Sequence, residues 1–469
     1  MADDERATPA ADPAALDPAA ILRSRDFVKL LVLAAVIGII VSVAGWAFLE
    51  LVHQIQLGVF QDLPDALGFS GVPEWWYFFW LGLAGLITAF AIVKLPGKGG
   101  HTPANGLQVG GNEPNYVPGI ALAALATLGL GVVLGPEAPL IALGSGLAVA
   151  CVKAARKDSP AQLLMIIGAA GSFAAISVIF GSPIVAAILV IEATGLGGPM
   201  LPLILIPGLI AAGIGSLVFI GMANFTGLNT SAYSLVPLQL PHFSGVTWEE
   251  IGWTIALALA GAVITQIIRR IGLAGAAAAV KKPWIIIPLA GLVVAALAIL
   301  FAQTTDHGAN EVLFSGQDAL PGLISGAGTW SVGALLMVML CKGLAWGASL
   351  GTFRGGPTFP AIFLGAAGGV AASHLPGLSL TPAVAVGMGV MVVSFLKLPL
   401  SAVVIATVLT ASAGIAVGPL IIVGVVVAYI ATLGLEGRLG EREAAKAAAA
   451  PPAPPAPPAP PAPPAPAGG

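Results

Sequence analysis

GLGVVLGPEAPLIALG, running from Gly129 to Gly144, decides the reading of this chain, because its only ionisable side chain is Glu137. A carboxylate at bilayer depth costs about 3 kcal/mol or more unless it meets water, a partner or an ion path. Gly135 and Pro136 interrupt any helix arriving from upstream, whereas Pro139 is tolerated in the first turn of a new one. The pattern predicts a membrane half-helix beginning near Glu137. At such a start, free backbone N–H groups and the helix dipole favour an anion. A carboxylate that only caps this helix fits the local sequence as well, so both a structural and a functional role are open here.

The rest of the chain supplies the membrane setting. Of 469 residues, 57% are hydrophobic and 9% charged, against about 25% charged in soluble domains. Apolar runs such as Leu31–Phe48, Trp80–Val93, Ile251–Ile267, Ile285–Phe301 and Val332–Leu340 with its continuation approach the roughly 20 residues a membrane helix needs. The chain therefore reads as a polytopic helical membrane protein. A net charge of −3 gives no basic character of the kind nucleic acid requires. Cys151 and Cys341 lie in apolar surroundings and read as small packing residues, with no disulfide framework and no metal-ligand spacing.

Composition also divides the chain. Residues 1–26 read as an acidic, Ala/Pro-rich disordered tail, 27–222 as a first membrane repeat and 223–247 as a polar connection. Residues 248–436 read as a second membrane repeat and 437–469 as a charged, then Pro-Ala-rich tail. Within the connection, Asn224–Ser244 is the expected outer loop. The Pro-Pro-Ala run from Pro451 to Ala465 suits a polyproline II rod or a solvating tail. Basic clusters at Arg23/Arg25/Lys29, Lys153/Arg156/Lys157, Arg269/Arg270, Lys281/Lys282 and Arg438/Arg442/Lys446 mark cytoplasmic positions, which places both termini in the cytoplasm.

An internal repeat accompanies this division. The segment from Glu137 to Gly144 resembles the one from Thr358 to Gly365 at an offset of 221, and Phe180–Thr194 matches Leu396–Thr410 at an offset of 216. Each half thus carries two short apolar segments broken by Gly and Pro at corresponding places. Paired interruptions of this kind point to a central binding site where the halves meet, here around Glu137 and Thr358.

With these motifs in place the chain resembles the CLC family of chloride channels and proton-coupled anion exchangers. Gly135-Pro136-Glu137-Ala138-Pro139 is similar to the family's Gly-Lys/Arg-Glu-Gly-Pro motif, and Gly355-Gly356-Pro357-Thr358-Phe359-Pro360 to its Gly-Gly-x-Phe-x-Pro motif. Gly99-Gly100-His101-Thr102-Pro103 falls where the family's Gly-Ser-Gly-x-Pro is expected. The resemblance implies an all-α, CLC-type fold with two inverted-topology repeats and broken helices. It further implies a homodimer in which each subunit holds its own anion pathway. Carried over by motif position, Glu137 is the gating carboxylate. Gly99, Gly100, His101, Gly135, Pro136, Ala138, Pro139, Gly356, Pro357, Thr358 and Phe359 line the path.

Departures from the family pattern bear on mechanism. Gly100 stands where the anion-contacting serine is usual, with His101 beside it as a substitute donor or a local cap. Thr358 stands at the place of the pathway phenylalanine, with Phe359 one residue later. Ala193 occupies the position of the proton-relay glutamate, and Glu192 precedes it as a displaced relay or, since one residue turns a helix by about 100°, a structural carboxylate. The pathway tyrosine falls near Leu439–Gly440, where there is none, and Tyr429 reads as packing. Fewer fixed donors favour passive or weakly coupled conduction of chloride-like monovalent anions. A proton-coupled exchanger and a fluoride- or nitrate-selective member are the alternatives, with a non-transporting scaffold or sensor further off.

The remaining polar residues carry blander readings. Glu50, with His53 and Gln54, reads as an interfacial helix end, and Asp306, His307 and Glu311 as an exposed loop. Lys342 and Arg354 add positive potential for anions or act as counter-charges or snorkelling cations. No nucleophile, metal or cofactor motif is present, so the reading is a transporter and not an enzyme. Its short tails place it in a prokaryotic plasma membrane.

Overall fold

The computed structural model describes residues 22–109, 112–228 and 235–448. The Pro-Pro-Ala run, residues 1–21 and residues 229–234 of the expected outer loop lie outside the described residues. Seven principal helices form the first half: α1 (Arg25–Leu57), α2 (Glu74–Lys94), α3 (Val117–Gly129), α4 (Glu137–Ala155), α5 (Ala161–Phe180), α6 (Pro183–Thr194) and α7 (Leu201–Thr226). The second half holds α8 (Trp248–Lys281), α9 (Pro283–Thr304), the short α10 (Ala319–Ser325), α11 (Val332–Thr352), α12 (Thr358–Ala372), α13 (Leu380–Leu396), α14 (Pro399–Leu409) and α15 (Gly418–Ala448). Among the described residues, nine helices are long and apolar enough to cross a membrane. Four shorter apolar helices, α6, α12, α13 and α14, complete the set.

Local chemistry fixes most helix starts. Ser24, Ser182 and Ser331 each accept a backbone N–H at the third residue beyond, and Thr247 with Glu250 forms a reciprocal capping box at α8. Proline opens α6, α9 and α14, where a missing N–H does no harm. At its far end α5 stops at Gly181 and α6 at Gly195, both left-handed.

Glycine sets how closely the helices cross. Gly144 of α4 lies against Gly171 of α5, and Gly365 of α12 against Gly387 of α13; a Cβ on any of the four would collide with the partner's backbone carbonyl. The second pair sits at offsets of 221 and 216 from the first, the two offsets of the sequence repeat. Gly272 and Gly351 bring α8 and α11 together in the same manner, as Gly85 and Gly291 do for α2 and α9. Small residues let membrane helices gain dispersion contact that apolar bulk cannot provide against lipid.

Three expectations are corrected by the fold. Helix α1 does not end at Glu50: it runs to Leu57 and continues through a π-helical turn, Gly58–Asp62, into Leu63–Ala66. Glu50 is held inside it by a 2.7 Å hydrogen bond from Gln54 Nε2. Helix α4 has 19 residues, about 28 Å, longer than a half-span because its apolar sequence persists to Val152. The 306–311 loop is only partly exposed: His307 stacks on Trp330 with ring centres 3.6 Å apart, and Glu311 is half-buried.

Glu311 belongs to a segment drawn inward by Lys342. This lysine on α11 is fully buried, so it does not snorkel. Its Nζ faces the carbonyls of Glu311, Val312, Leu313 and Phe314 at 3.0, 3.1, 2.9 and 3.4 Å, and lies 4.5 Å from the centre of the Phe363 ring. Those oxygens replace the water shell of the ammonium, and the ammonium in turn supplies those carbonyls with a donor.

Replacing Lys342 by Met should destabilise the protein by about 2–5 kcal/mol, since several buried acceptors lose their donor; unfolding in mixed detergent micelles reads this directly. Gly365→Ala should cost about 1–3 kcal/mol in the same assay through overpacking. Gly213→Ala on α7, where a Cβ meets nothing within 4 Å, should be neutral or slightly stabilising.

Candidate functional site

Helices α4 and α12 begin face to face. Immediately before them, Gly135 and Gly356 exchange two backbone hydrogen bonds, N–H to carbonyl, of 2.7 and 2.6 Å, the one isolated antiparallel bridge among the described residues. The paired residues are again 221 apart. Proline at the third helical position of each, Pro139 and Pro360, limits the free N–H groups to the first two residues. The two helix starts thus aim their donors at one small volume.

Glu137 fills that volume. It is fully buried, and its Oε1 accepts from the Thr358 N–H at 2.5 Å. The N–H groups of Phe359 and of Glu137 itself also act on the carboxylate. Gly135 and Gly356 form its seat, since a Cβ on either would overlap the carboxylate. Oε2 and the Thr358 hydroxyl are buried without a hydrogen-bond partner among the described residues. The Phe359 ring packs on Phe180, with centres 5.6 Å apart, and closes one side of the seat against Gly135.

Two cavities, each of about 310 Å³, approach this point. The first lies beyond the C-terminal end of α2 and is lined by Gly99, Gly100, His101, Ala138, Pro139 and Gly355, among others. The second reaches Leu134 and Pro136 and is walled by the end of α1 (His53, Gln56, Phe60, Gln61) and by the 310–319 segment. Trp76 Nε1 donates to the Val59 carbonyl at 2.8 Å, which ties that end of α1 to the start of α2. The cavities therefore lie toward opposite ends of α2, a helix of 21 residues and about 31 Å. Glu137 stands between residues that line one and residues that line the other.

The first cavity explains a departure seen in the sequence. Gly97, Lys98, Gly99 and Gly100 all have positive φ, at 74, 50, 70 and 99°. Gly100, with ψ −167°, occupies a region that only glycine adopts readily, so a serine would be strained in this loop. His101 does not replace the lost hydroxyl. Its Nε2 pairs with the Gly106 carbonyl at 3.1 Å, which assigns the proton to that nitrogen. Burial pushes the imidazole below its ordinary value, partly opposed by the Gly106 bond, with Arg354 adding to the fall. The Nε2–H is thereby committed to the loop itself.

Glu192 is occupied elsewhere. Its carboxylate accepts from the N–H of Leu400 at 2.9 Å, the N–H of Ser401 at 2.7 Å and the Ser401 hydroxyl at 2.6 Å. It caps α14, which has no side-chain cap of its own. Ala193 lines the first cavity, and Tyr429 packs on the core. Sequence reading missed the second cavity. Its signal was a polar face, His53 and Gln56 at helical spacing, at the end of an otherwise apolar helix.

A family profile described as Voltage gated chloride channel matches residues 104–433, more than half of the chain. Relatives include YfeO of Escherichia fergusonii, whose name refers to ion transport, at 27% identity over 76% of this chain and 82% of that protein. YfeO of Salmonella newport is likewise 27% identical, over 74% and 81%. Among solved structures, a slow cyanobacterial Cl⁻/H⁺ antiporter aligns with TM-score 0.68 and 18% identity, covering 89% of this chain and 98% of its own. A CLC-type fluoride/proton antiporter aligns with TM-score 0.60 and 17% identity, covering 86% and 95%. With its broken helices, its repeated halves and a profile match across both of them, the chain belongs to the voltage gated chloride channel family, the CLC family.

Proposed function

We propose that the chain moves small monovalent anions of the chloride class across a membrane, with the Glu137 side chain as the gate. The observation that carries this reading is the buried carboxylate between two cavities, held by the N–H donors of two facing helix starts. Those donors suit any compact anion. Backbone N–H groups hold a partly dehydrated anion without a full opposing charge, so it can leave again. Ionised, Glu137 occupies the anion's place as a tethered competitor. Protonated, it loses the charge that holds it there and swings out.

Passive or weakly coupled movement is the leading form of this proposal. Gly100 offers no hydroxyl, Tyr429 is committed to packing, and Glu192 spends both oxygens on α14. Glu192, the displaced candidate for a relay, is therefore already engaged as a helix cap. Proton-coupled exchange is the second reading, favoured by the kinship in fold with two antiporters. The setting we propose is a prokaryotic plasma membrane, with both termini in the cytoplasm and two copies forming a homodimer. The first cavity would face the cytoplasm, on the same side as Lys94, Lys98 and the basic start of α1.

Glu137→Gln should make chloride flux through reconstituted liposomes independent of pH. At neutral pH the flux should rise about tenfold or more, the worth of a charge-assisted hydrogen bond. A folded variant that keeps the wild-type pH profile removes Glu137 from the gate. Recording external pH during chloride efflux separates the two readings: flux without proton movement supports conduction, and protons driven uphill by chloride establish exchange. Glu192→Ala should lower stability by about 0.5–2 kcal/mol through loss of the cap and leave the proton-to-chloride ratio unchanged; a changed ratio would restore Glu192 as a relay.

A further inference from the structure

Two cations are buried in this protein near the candidate pathway, and they differ in one respect. Lys342 is saturated by four carbonyl oxygens and an aromatic face. Arg354, two residues before Gly356, is only 8% exposed, yet it has no carboxylate partner among the described residues. Its Nε donates to the Lys98 carbonyl at 3.3 Å and its Nη1 to the Phe353 carbonyl at 3.0 Å. A guanidinium has five N–H bonds. Three of them, on Nη1 and Nη2, therefore have no acceptor among the described residues. Arg354 lines the first cavity together with Gly99, Gly100, Ala138 and Gly355.

A buried charge without a counter-charge is unfavourable, and burying a charge is normally offset by pairing. In this protein the missing partner has a place to go, because the unsatisfied guanidinium borders an open volume of about 310 Å³. The neighbouring side chain does not compete for that role, because His101 has its Nε2–H on the Gly106 carbonyl. We infer that Arg354 is the side-chain ligand of a monovalent anion in the first cavity, replacing with a guanidinium fork the hydroxyl that Gly100 lacks. The inference rests on the anion-transport reading and deepens it. Guanidinium is weakly hydrated and keeps a fixed array of donors, so it binds a halide or a planar oxyanion without requiring a rearranged loop. Its place one step from the Gly135–Gly356 bridge makes it a relay stage on the cytoplasmic approach to Glu137.

The test uses the full chain in nanodiscs, with chloride binding measured by isothermal titration for wild type, Arg354→Gln and Arg354→Lys. Thermal unfolding in gluconate, without chloride, verifies that each variant is folded. Arg354→Gln should weaken chloride binding by about tenfold or more, the equivalent of one charge-assisted contact. Arg354→Lys, which keeps the charge and loses the fork, should fall between the two and stands in if the glutamine variant does not fold. Wild-type affinity in either folded variant overturns the assignment. Liposome flux keeps this result apart from the wider reading. Wild-type chloride flux combined with unaltered binding in the variants would sink the Arg354 site alone. A wild type that binds chloride through Arg354 but moves none would sink transport and leave the site.

Discussion

The hydrogen-bonded contact between Gly135 and Gly356 is the constraint on which the remainder of the structure depends. Breaking a helix inside hydrocarbon exposes N–H and C=O groups that lipid cannot satisfy. Here two breaks meet, and each supplies the donor and acceptor the other lacks. Glycine is required on both sides because the Glu137 carboxylate occupies the space a Cβ would take. Helices α4 and α12 are thereby locked with their starts opposed, and the donors left over converge where a carboxylate now sits.

The buried charges illustrate how structural and functional roles separate. Glu192 and Lys342 have their hydrogen-bonding capacity filled by backbone groups, at α14 and at the 311–314 carbonyls. They fix geometry, and nothing in their surroundings asks for a further partner. Among the described residues, Glu137 Oε2 has no hydrogen-bond partner and three N–H bonds of Arg354 have no acceptor. Arg354 lines the first cavity, and Glu137 lies between Pro136, which lines the second, and Ala138, which lines the first. Incomplete coordination, more than charge or burial alone, is the ground on which we propose these two residues for the anion path.

Close helix crossings give the pathway its rigidity. The reciprocal glycine contacts at Gly144 with Gly171 and Gly365 with Gly387 hold α4 to α5 and α12 to α13 at backbone distance. The Glu137 carboxylate needs such a frame, because a shift of an ångström in either helix start would spoil its seat. The salt-bridge cluster of Glu436 with Arg269 and Lys397 adds a polar tie between α15, α8 and α13. Arg269 also reaches the Ala104 carbonyl, close to the first cavity.

By itself the sequence determined the membrane class, the break at Glu137, the doubling of the chain and the meeting of its halves at residues 137 and 358. These follow from local properties: apolar length, the conformational limits of Gly and Pro, and a repeat legible as a fixed offset. It also exposed the absent serine, although the reason, a glycine-only conformation at Gly100, needed the backbone. Tertiary structure alone decided what each charge touches. Glu192 finds its partners 208 and 209 residues away, Lys342 about 30 residues back, and Arg354 borders a cavity assembled from α4, α6 and the loop after α2. Glu50 reads as a helix end from composition and proves to be mid-helix, because a π-helical turn carries α1 onward. Satisfying a buried charge depends on which distant backbone groups arrive beside it, and spacing along the chain does not encode that arrival.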